Sequence, residues 1–445
     1  MKIVIIGGEA AGMSAAAKAR RTDRDAEIIV FEQSEVVSFG ACGLPYFIGD
    51  SFDEPGYMAE RSVAQFRDSG IDLRTGHRVE RLDCDQQRLW VTDLASGEQF
   101  TQDYDSLMIA TGASVVKPPI EGLALQGVHF LKTLEDGLTI KPQLQSAAIE
   151  EVVVIGAGYI GLEVVEALVH QGKRVRLIEL SDRVLTESFD VEISELIQQE
   201  LLEKGVQLHL KEAVQSLSGE QGRVQHVHTN AGQYRADMVI VATGVRPNSE
   251  FLSDTGIERL SNGAIVIDEQ GRTSLRAVYA AGDCATVWHR VRRQPVYIPL
   301  ATTANKLGRL IGENLCGGAR AFPGTLGSAG VKVLALEAGR TGISEREARE
   351  LGLDYSTVVI NDKNTTNYVP NQQSLRVKLV YDRVSKQLLG GQIAGGPGAV
   401  LRVDTLAAAI HAKMTTADLG MLDLVYAPPF ARTWDAINVA GNVAK

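Results

Sequence analysis

The run VVVIGAGYIGLE, Val152 to Glu163, decides the fold. Its aliphatic start reads as a buried parallel strand, and Gly156, Gly158 and Gly161 follow in GxGxxG register. A helical stretch comes next, then a second apolar strand, KRVRLIE, ending on Glu179, 18 residues beyond Gly161. In such a unit the glycines let a dinucleotide pyrophosphate approach the helix N-terminus, and the acidic residue takes the adenosine ribose. The alternative is a glycine turn that only packs a helix on a sheet. The acidic residue near the expected offset weighs against it. A carboxylate at 179 suits the free 2′-hydroxyl of NAD and repels the 2′-phosphate of NADP, so NADH is expected, with Arg183 leaving some tolerance for NADPH.

Working outward, the same pattern opens the chain in a weaker form. KIVIIGG runs from a strand into a loop that places Gly7, Glu9 and Gly12 at the three glycine positions, and Ala10 to Arg21 reads as a helix. The strand AEIIVFE then ends on Glu32. Glu9 departs from the fingerprint, since a carboxylate beside a pyrophosphate repels it unless turned to solvent. LMIATGAS from Leu107 and VIVATGVRPN from Val239 are apolar strands ending in the same turn, the second carrying Gly244. They are expected to close the two nucleotide lobes and pass the chain between them. VYAAGDCA, Val278 to Ala285, adds a buried strand whose end carries Asp283.

Length and charge bound the rest. A chain of 445 residues has room for roughly three domains. Lys plus Arg number 45 against 55 Asp plus Glu, a net charge of −10, which argues against nucleic acid or an anionic membrane as partner. The N-terminal apolar run, Ile3 to Ile6, is too short for a secretory signal, and no stretch of about 18 apolar residues is present. Cys42, Cys84, Cys284 and Cys316 are scattered and include no CxxC pair, so neither a disulfide framework nor a metal site is expected. A reducing, cytoplasmic setting follows.

Cys42 stands apart. It lies in SFGACGLPY, Ser38 to Tyr46, just before an expected short helix whose N-terminus would favour a thiolate. A buried filler role is the bland alternative.

Two fingerprints, two closing strands and the Asp283 turn together resemble the pyridine nucleotide disulfide oxidoreductases over essentially the whole chain. The resemblance implies an α/β fold with two Rossmann-like domains and a C-terminal α+β dimerisation domain. The implied spans are 1–118 and 246–322 for FAD, 119–245 for NAD(P)H and 323–445 for dimerisation. It also implies that Gly7, Gly12 and Glu32 hold the FAD pyrophosphate and ribose, and that Asp283 contacts the ribityl or phosphate part. Ala301, in PLATTANKLGR, would lie beside the isoalloxazine. Tyr159 matches the family's aromatic gate over the nicotinamide face of the flavin, and Glu163 matches a neighbouring family position.

No second thiol flanks Cys42, so the chain is similar to the single-cysteine subgroup: coenzyme A disulfide reductases, NADH-dependent persulfide and polysulfide reductases, and NADH oxidases and peroxidases. CGLPY, a first loop without histidine, and Tyr426 in YAPPF resemble the coenzyme A disulfide and persulfide reductases. That resemblance implies a homodimer in which Tyr426 reaches the other subunit's Cys42, with Tyr368 in NYVPN as a second tyrosine or a packed loop residue. It implies coenzyme A phosphates near Arg20 or Arg21, more weakly Arg61, and a substrate-side Ser38. For the arginines, cations closing a helix are the alternative. No rhodanese-like extension is expected. A water-forming NADH oxidase cycling through a Cys42 sulfenic acid, and a flavoprotein redox sensor, are the competing readings.

Overall fold

A computed structural model describes residues 1–445. The aliphatic runs do form central strands of parallel sheets. In the first sheet the strands run Val278–Ala280, Ser106–Ile109, Lys2–Ile6, Glu27–Phe31, Asp72–Arg74. In the second they run Gln207–His209, Arg174–Ile178, Glu151–Ile155, Met238–Val241, Val128–Phe130. All pairings in both sheets are parallel.

The two units repeat each other in detail. Gly7 donates its N–H to Phe31 and Gly156 to Ile178, so each glycine turn is pinned to the end of the second strand of its unit. Each unit also carries a three-stranded antiparallel flap, His77–Asp103 in one and Val214–Arg235 in the other. The chain passes between lobes on two short strands, Ala113–Val115 and Val245–Pro247, which pair antiparallel just beyond the two Ala-Thr-Gly turns. Residues that follow the second lobe therefore return to complete the first.

That return includes the helix Ala301–Asn314, which packs along Ala10–Thr22. A Cβ on Gly308 would meet Ala11 O at 2.3 Å and one on Gly312 would meet Ala15 O at 2.5 Å, so only glycine permits this approach. The constant offset between partners makes the helices parallel, and Ala301 begins beside the first glycine loop.

The C-terminal unit is an antiparallel sheet ordered Ala329–Val333, Leu336–Gly342, Leu388–Gly395, Ser374–Asp382, Tyr355–Lys363, covered by Ala399–His411 and Ala436–Val443. The alternation in RVKLVY predicts a half-exposed strand, but Val377 to Tyr381 are all buried. The outer face is covered from two sides: Val380 packs on Ile343 and Ala348 of the same unit, and Lys378 is paired with Glu192 of the second lobe's Val191–Glu203 helix. No helix is long and apolar enough to cross a membrane.

Candidate active site

Cys42 sits on the single 3₁₀ turn Ala41–Gly43, followed directly by the helix Leu44–Ile48. The segment is fastened at both ends. Ser38, in a left-handed conformation at φ 53°, donates its N–H to Gly8 O at 2.8 Å, which ties it to the first glycine loop. Gly40 donates to Met58 O at 2.7 Å. Beyond Cys42, Leu44, Phe47 and Ile48 are buried in the core of the second lobe, each contributing about 1.5–3 kcal/mol. The thiol thus stands where the two nucleotide lobes meet, reachable from solvent.

The electrostatics correct one expectation. The Cys42 thiol is pushed up, chiefly by the protein packed around it and then by the Glu163 carboxylate and by Asp283, with Lys132 opposing. A five-residue helix has little dipole to lend, so burial and carboxylates win. Glu163 is itself pushed up to about 7 by burial and by Glu166. Between the ordinary carboxylate range and about 7, the folded chain holds a proton that the unfolded chain has released, so stability falls as pH rises through this window. Above it, the ionised Glu163 opposes a Cys42 thiolate. Glu163→Gln is therefore expected to shift the pH profile of Cys42 alkylation to lower pH and to stabilise the protein more at pH ~8 than at pH ~5. Iodoacetamide rates and thermal midpoints across pH check both.

The glycine loops have the backbone geometry that could hold a pyrophosphate. Gly7 and Gly156 have φ of 108° and 102°, and a Cβ on Gly12 or Gly161 would lie 2.0 Å from the carbonyl of Gly7 or Gly156. At Gly158 nothing lies within 4 Å, leaving open space over that turn. The acidic residues match as well. Glu32 accepts from Gly8 N–H at 2.7 Å and Ser34 N–H at 2.8 Å, while Glu179 accepts from Ala157 N–H at 2.7 Å and Ser181 N–H at 2.8 Å. Arg183 pairs with Asp182 at 3.1 Å. Gly244, at φ 102°, turns beside this second site.

Glu9 reaches solvent at the first loop, and burial against neighbouring protein raises its carboxyl while Lys132 draws it down. Lys132 also lies 3.7 Å from Asp283. This lysine joins Cys42, Glu9 and Asp283 in one electrostatic cluster, yet no sequence motif marks it. Tyr159 starts its helix with its ring 6.3 Å from Phe189, and its hydroxyl is buried without a hydrogen-bond partner.

The remaining candidates separate. Arg20 is committed, donating to Arg24 O at 2.7 Å and Gly70 O at 2.7 Å, whereas Arg21 is exposed. The two line an open depression with Arg24 and Asp68. Arg61 stacks over Phe66 at 4.3 Å. Tyr368 and Tyr426 come together, hydroxyl to hydroxyl at 3.4 Å, both exposed on the C-terminal unit. Cys284 is fully buried and pushed up to about 11 by desolvation, and Cys316 packs against Ala19, so neither resembles Cys42.

Comparison with known proteins follows these features. The family model for pyridine nucleotide-disulphide oxidoreductases matches residues 1–308, and the model for their dimerisation domain matches 328–436. The chain is 39% identical over 444 residues to the NAD(P)H coenzyme A polysulfide/persulfide reductase of Pyrococcus horikoshii, covering 100% of this chain and 98% of that one. It is 33% identical over 445 residues to an NADH oxidase of Enterococcus faecalis, covering 100% and 99%. Among solved structures, an NAD-dependent persulfide reductase from A. fulgidus superposes with a TM-score of 0.95 at 38% identity, covering 100% of this chain and 83% of that one. With two glycine cradles and their acidic partners, and a C-terminal unit whose loops carry two tyrosines, these matches lead to one conclusion: the chain belongs to the pyridine nucleotide-disulphide oxidoreductases.

Proposed function

We propose that this chain is a FAD-dependent NAD(P)H reductase of coenzyme A disulfide, coenzyme A persulfide or polysulfide, acting through Cys42 alone. The observation that carries the reading is the placement of one solvent-reachable thiol between the two nucleotide lobes, with no second cysteine beside it. The relatives named for persulfide reduction point to the same substrate class.

The first glycine cradle, with Gly7, Gly12, Glu32, Asp283 and the N-terminus at Ala301, fits FAD. The second, with Gly156, Gly158, Gly161, Glu179 and Gly244, fits NADH; Tyr159 begins its helix, and Glu163 on that helix acts on Cys42. FAD, when bound, relays two electrons from NADH to sulfur. The protein's residues supply the rest. The Cys42 thiolate attacks one sulfur of the disulfide or persulfide, forming a mixed disulfide and expelling a thiolate or hydrosulfide. Two electrons then cleave that bond, releasing the second thiolate and restoring Cys42. Lys132 stabilises negative charge on this sulfur, since its ammonium favours the thiolate.

Each departing thiolate needs a proton, and a phenol is a suitable donor. Tyr426, with Tyr368 hydrogen-bonded to it, holds that role across a homodimer, where the partner subunit's Tyr426 faces Cys42. Tyr426→Phe is expected to lower disulfide turnover on the order of 10- to 100-fold while leaving flavin reduction by NADH unchanged. Stopped-flow resolves the two half-reactions. Ser38 borders Cys42, and Arg21, free where Arg20 is tied, is the better candidate for a coenzyme A phosphate.

The NADH oxidase relative favours a second reading, in which Cys42 cycles through sulfenic acid. Intact mass of the unreduced holoenzyme separates the two. A coenzyme A adduct on Cys42 supports the reductase; an unmodified or oxidised Cys42, with aerobic NADH consumption as fast as the disulfide-driven rate, supports the oxidase.

A further inference from the structure

Behind Tyr159 lies the loop Leu185–Asp190, and this loop is held by another domain. At its start, Leu185, in a left-handed conformation at φ 51°, donates its N–H to Ala157 O of the second glycine turn at 3.0 Å. Ser188 and Phe189 N–H groups fold back on Leu185 O at 2.8 and 2.9 Å, which presents the Phe189 ring to Tyr159. At its far end the loop is gripped by the C-terminal unit. Arg340 donates to Ser188 O at 2.7 Å, and Gln392 exchanges hydrogen bonds with Asp190 at 2.9 and 2.8 Å.

Arg340 differs from an ordinary buried arginine in how its donors are divided. One terminal nitrogen goes to Ser188 O, and the other is shared by Gly342 O at 3.0 Å and Glu347 at 2.7 Å. Glu347 in turn accepts from Ser344 N–H at 2.7 Å, so the guanidinium is fixed in place by its own domain. A planar fork can meet these partners at once, whereas a lysine ammonium cannot span them. The positive charge also falls close to the Tyr159 hydroxyl, whose own polar neighbour is Ser188. The rest of the loop is anchored independently, because Lys378 pairs with Asp190, Glu192 and Glu345 at 3.4, 2.8 and 2.6 Å. Loss of the Arg340 contact would therefore loosen the Ser188–Phe189 corner without freeing the domain.

We propose that Arg340, contributed by the C-terminal domain, is a positioning residue for the hydride-accepting half-reaction: by holding Ser188 O it fixes Phe189, and through it the Tyr159 ring over the nicotinamide site. The inference rests on the reading of Tyr159 as the residue that covers that site.

The test is a double-mutant cycle on the FAD-loaded homodimer, read by stopped-flow. Arg340→Lys keeps the charge beside Glu347 and loses the reach to Ser188 O. The expected result is a fall of roughly tenfold in flavin reduction by NADH, with reoxidation by disulfide unchanged. In a Tyr159→Ala background, Arg340→Lys should add no further loss, which a merely destabilising change would not satisfy. Glu345→Gln, which weakens the Lys378 anchor instead, serves as the control for general loosening and should leave the NADH step intact. Flavin reduction unaffected by Arg340→Lys, while Tyr159→Ala alters it, overturns the inference and leaves the Tyr159 reading standing. Flavin reduction unaffected by Tyr159→Ala overturns both.

Discussion

Cys42→Ser is expected to abolish NADH-driven reduction of coenzyme A disulfide or persulfide, by roughly three orders of magnitude or more, while FAD stays bound and is still reduced by NADH. Serine is nearly isosteric, and the site is a solvent-reachable 3₁₀ turn, so the change in stability is expected to stay within about 0.5 kcal/mol. None of the other thiols is placed to substitute: Cys84 follows the flap strand His77–Asp83, with its thiol pushed up by burial and by Asp83 and Asp85. Cys284 is sealed in the core with its thiol pushed up to about 11, and Cys316 faces the carbonyls of Ala19 and Gly312. Steady-state turnover and anaerobic titration with NADH, run on one preparation, give the two halves of the result. Retained turnover with disulfide would remove Cys42 from the reaction.

Gly12→Ala is expected to have a large structural effect on the first lobe. The new Cβ would lie 2.0 Å from Gly7 O, and Gly7 cannot retreat because its own Cβ position is 2.1 Å from Ala110 O. Both obstacles are backbone, with no flexible side chain to give way. The cost is about 3 kcal/mol, and the distortion falls on the turn proposed to receive the FAD pyrophosphate. Flavin content after purification should drop to a minor fraction, and the thermal midpoint should fall with it. Gly158→Ala is the contrasting case: nothing lies within 4 Å, so folding survives and the effect appears as weaker NADH binding.

Much of this architecture was legible in the residues. Gly156, Gly158, Gly161 and Glu179 read as a dinucleotide unit because period, glycine spacing and acidic offset are all local, and the structure places them as a strand, turn, helix and strand. The degenerate first motif folds the same way despite Glu9, since the steric demands fall on Gly7 and Gly12. What escaped reading depends on distant partners. RVKLVY alternates as a half-exposed strand would, but Ile343 and Ala348 cover Val380 on its outer face, and Lys378 is paired there with carboxylates nearly two hundred residues upstream. The thiolate expected at Cys42 overlooked Glu163, about a hundred and twenty residues along the chain. Lys132 and Arg340 carry no motif at all; each gains its significance from what the fold brings beside it. Tyr368 is paired with Tyr426 by a contact that no spacing along the chain announces.

The parallel seam between Ala10–Thr22 and Ala301–Asn314 has a consequence for biosynthesis. The first lobe is split by the insertion of the second, and its edge strand Val278–Ala280 and sealing helix lie downstream of it. During synthesis the second lobe emerges as a contiguous block and can fold as it leaves the ribosome. The amino-terminal segment lacks its edge strand and sealing helix until Asn314 of the 445 residues has been made. The cradle around Gly7 and Gly12 is thereby completed late, and a nascent chain stalled midway holds only half of it.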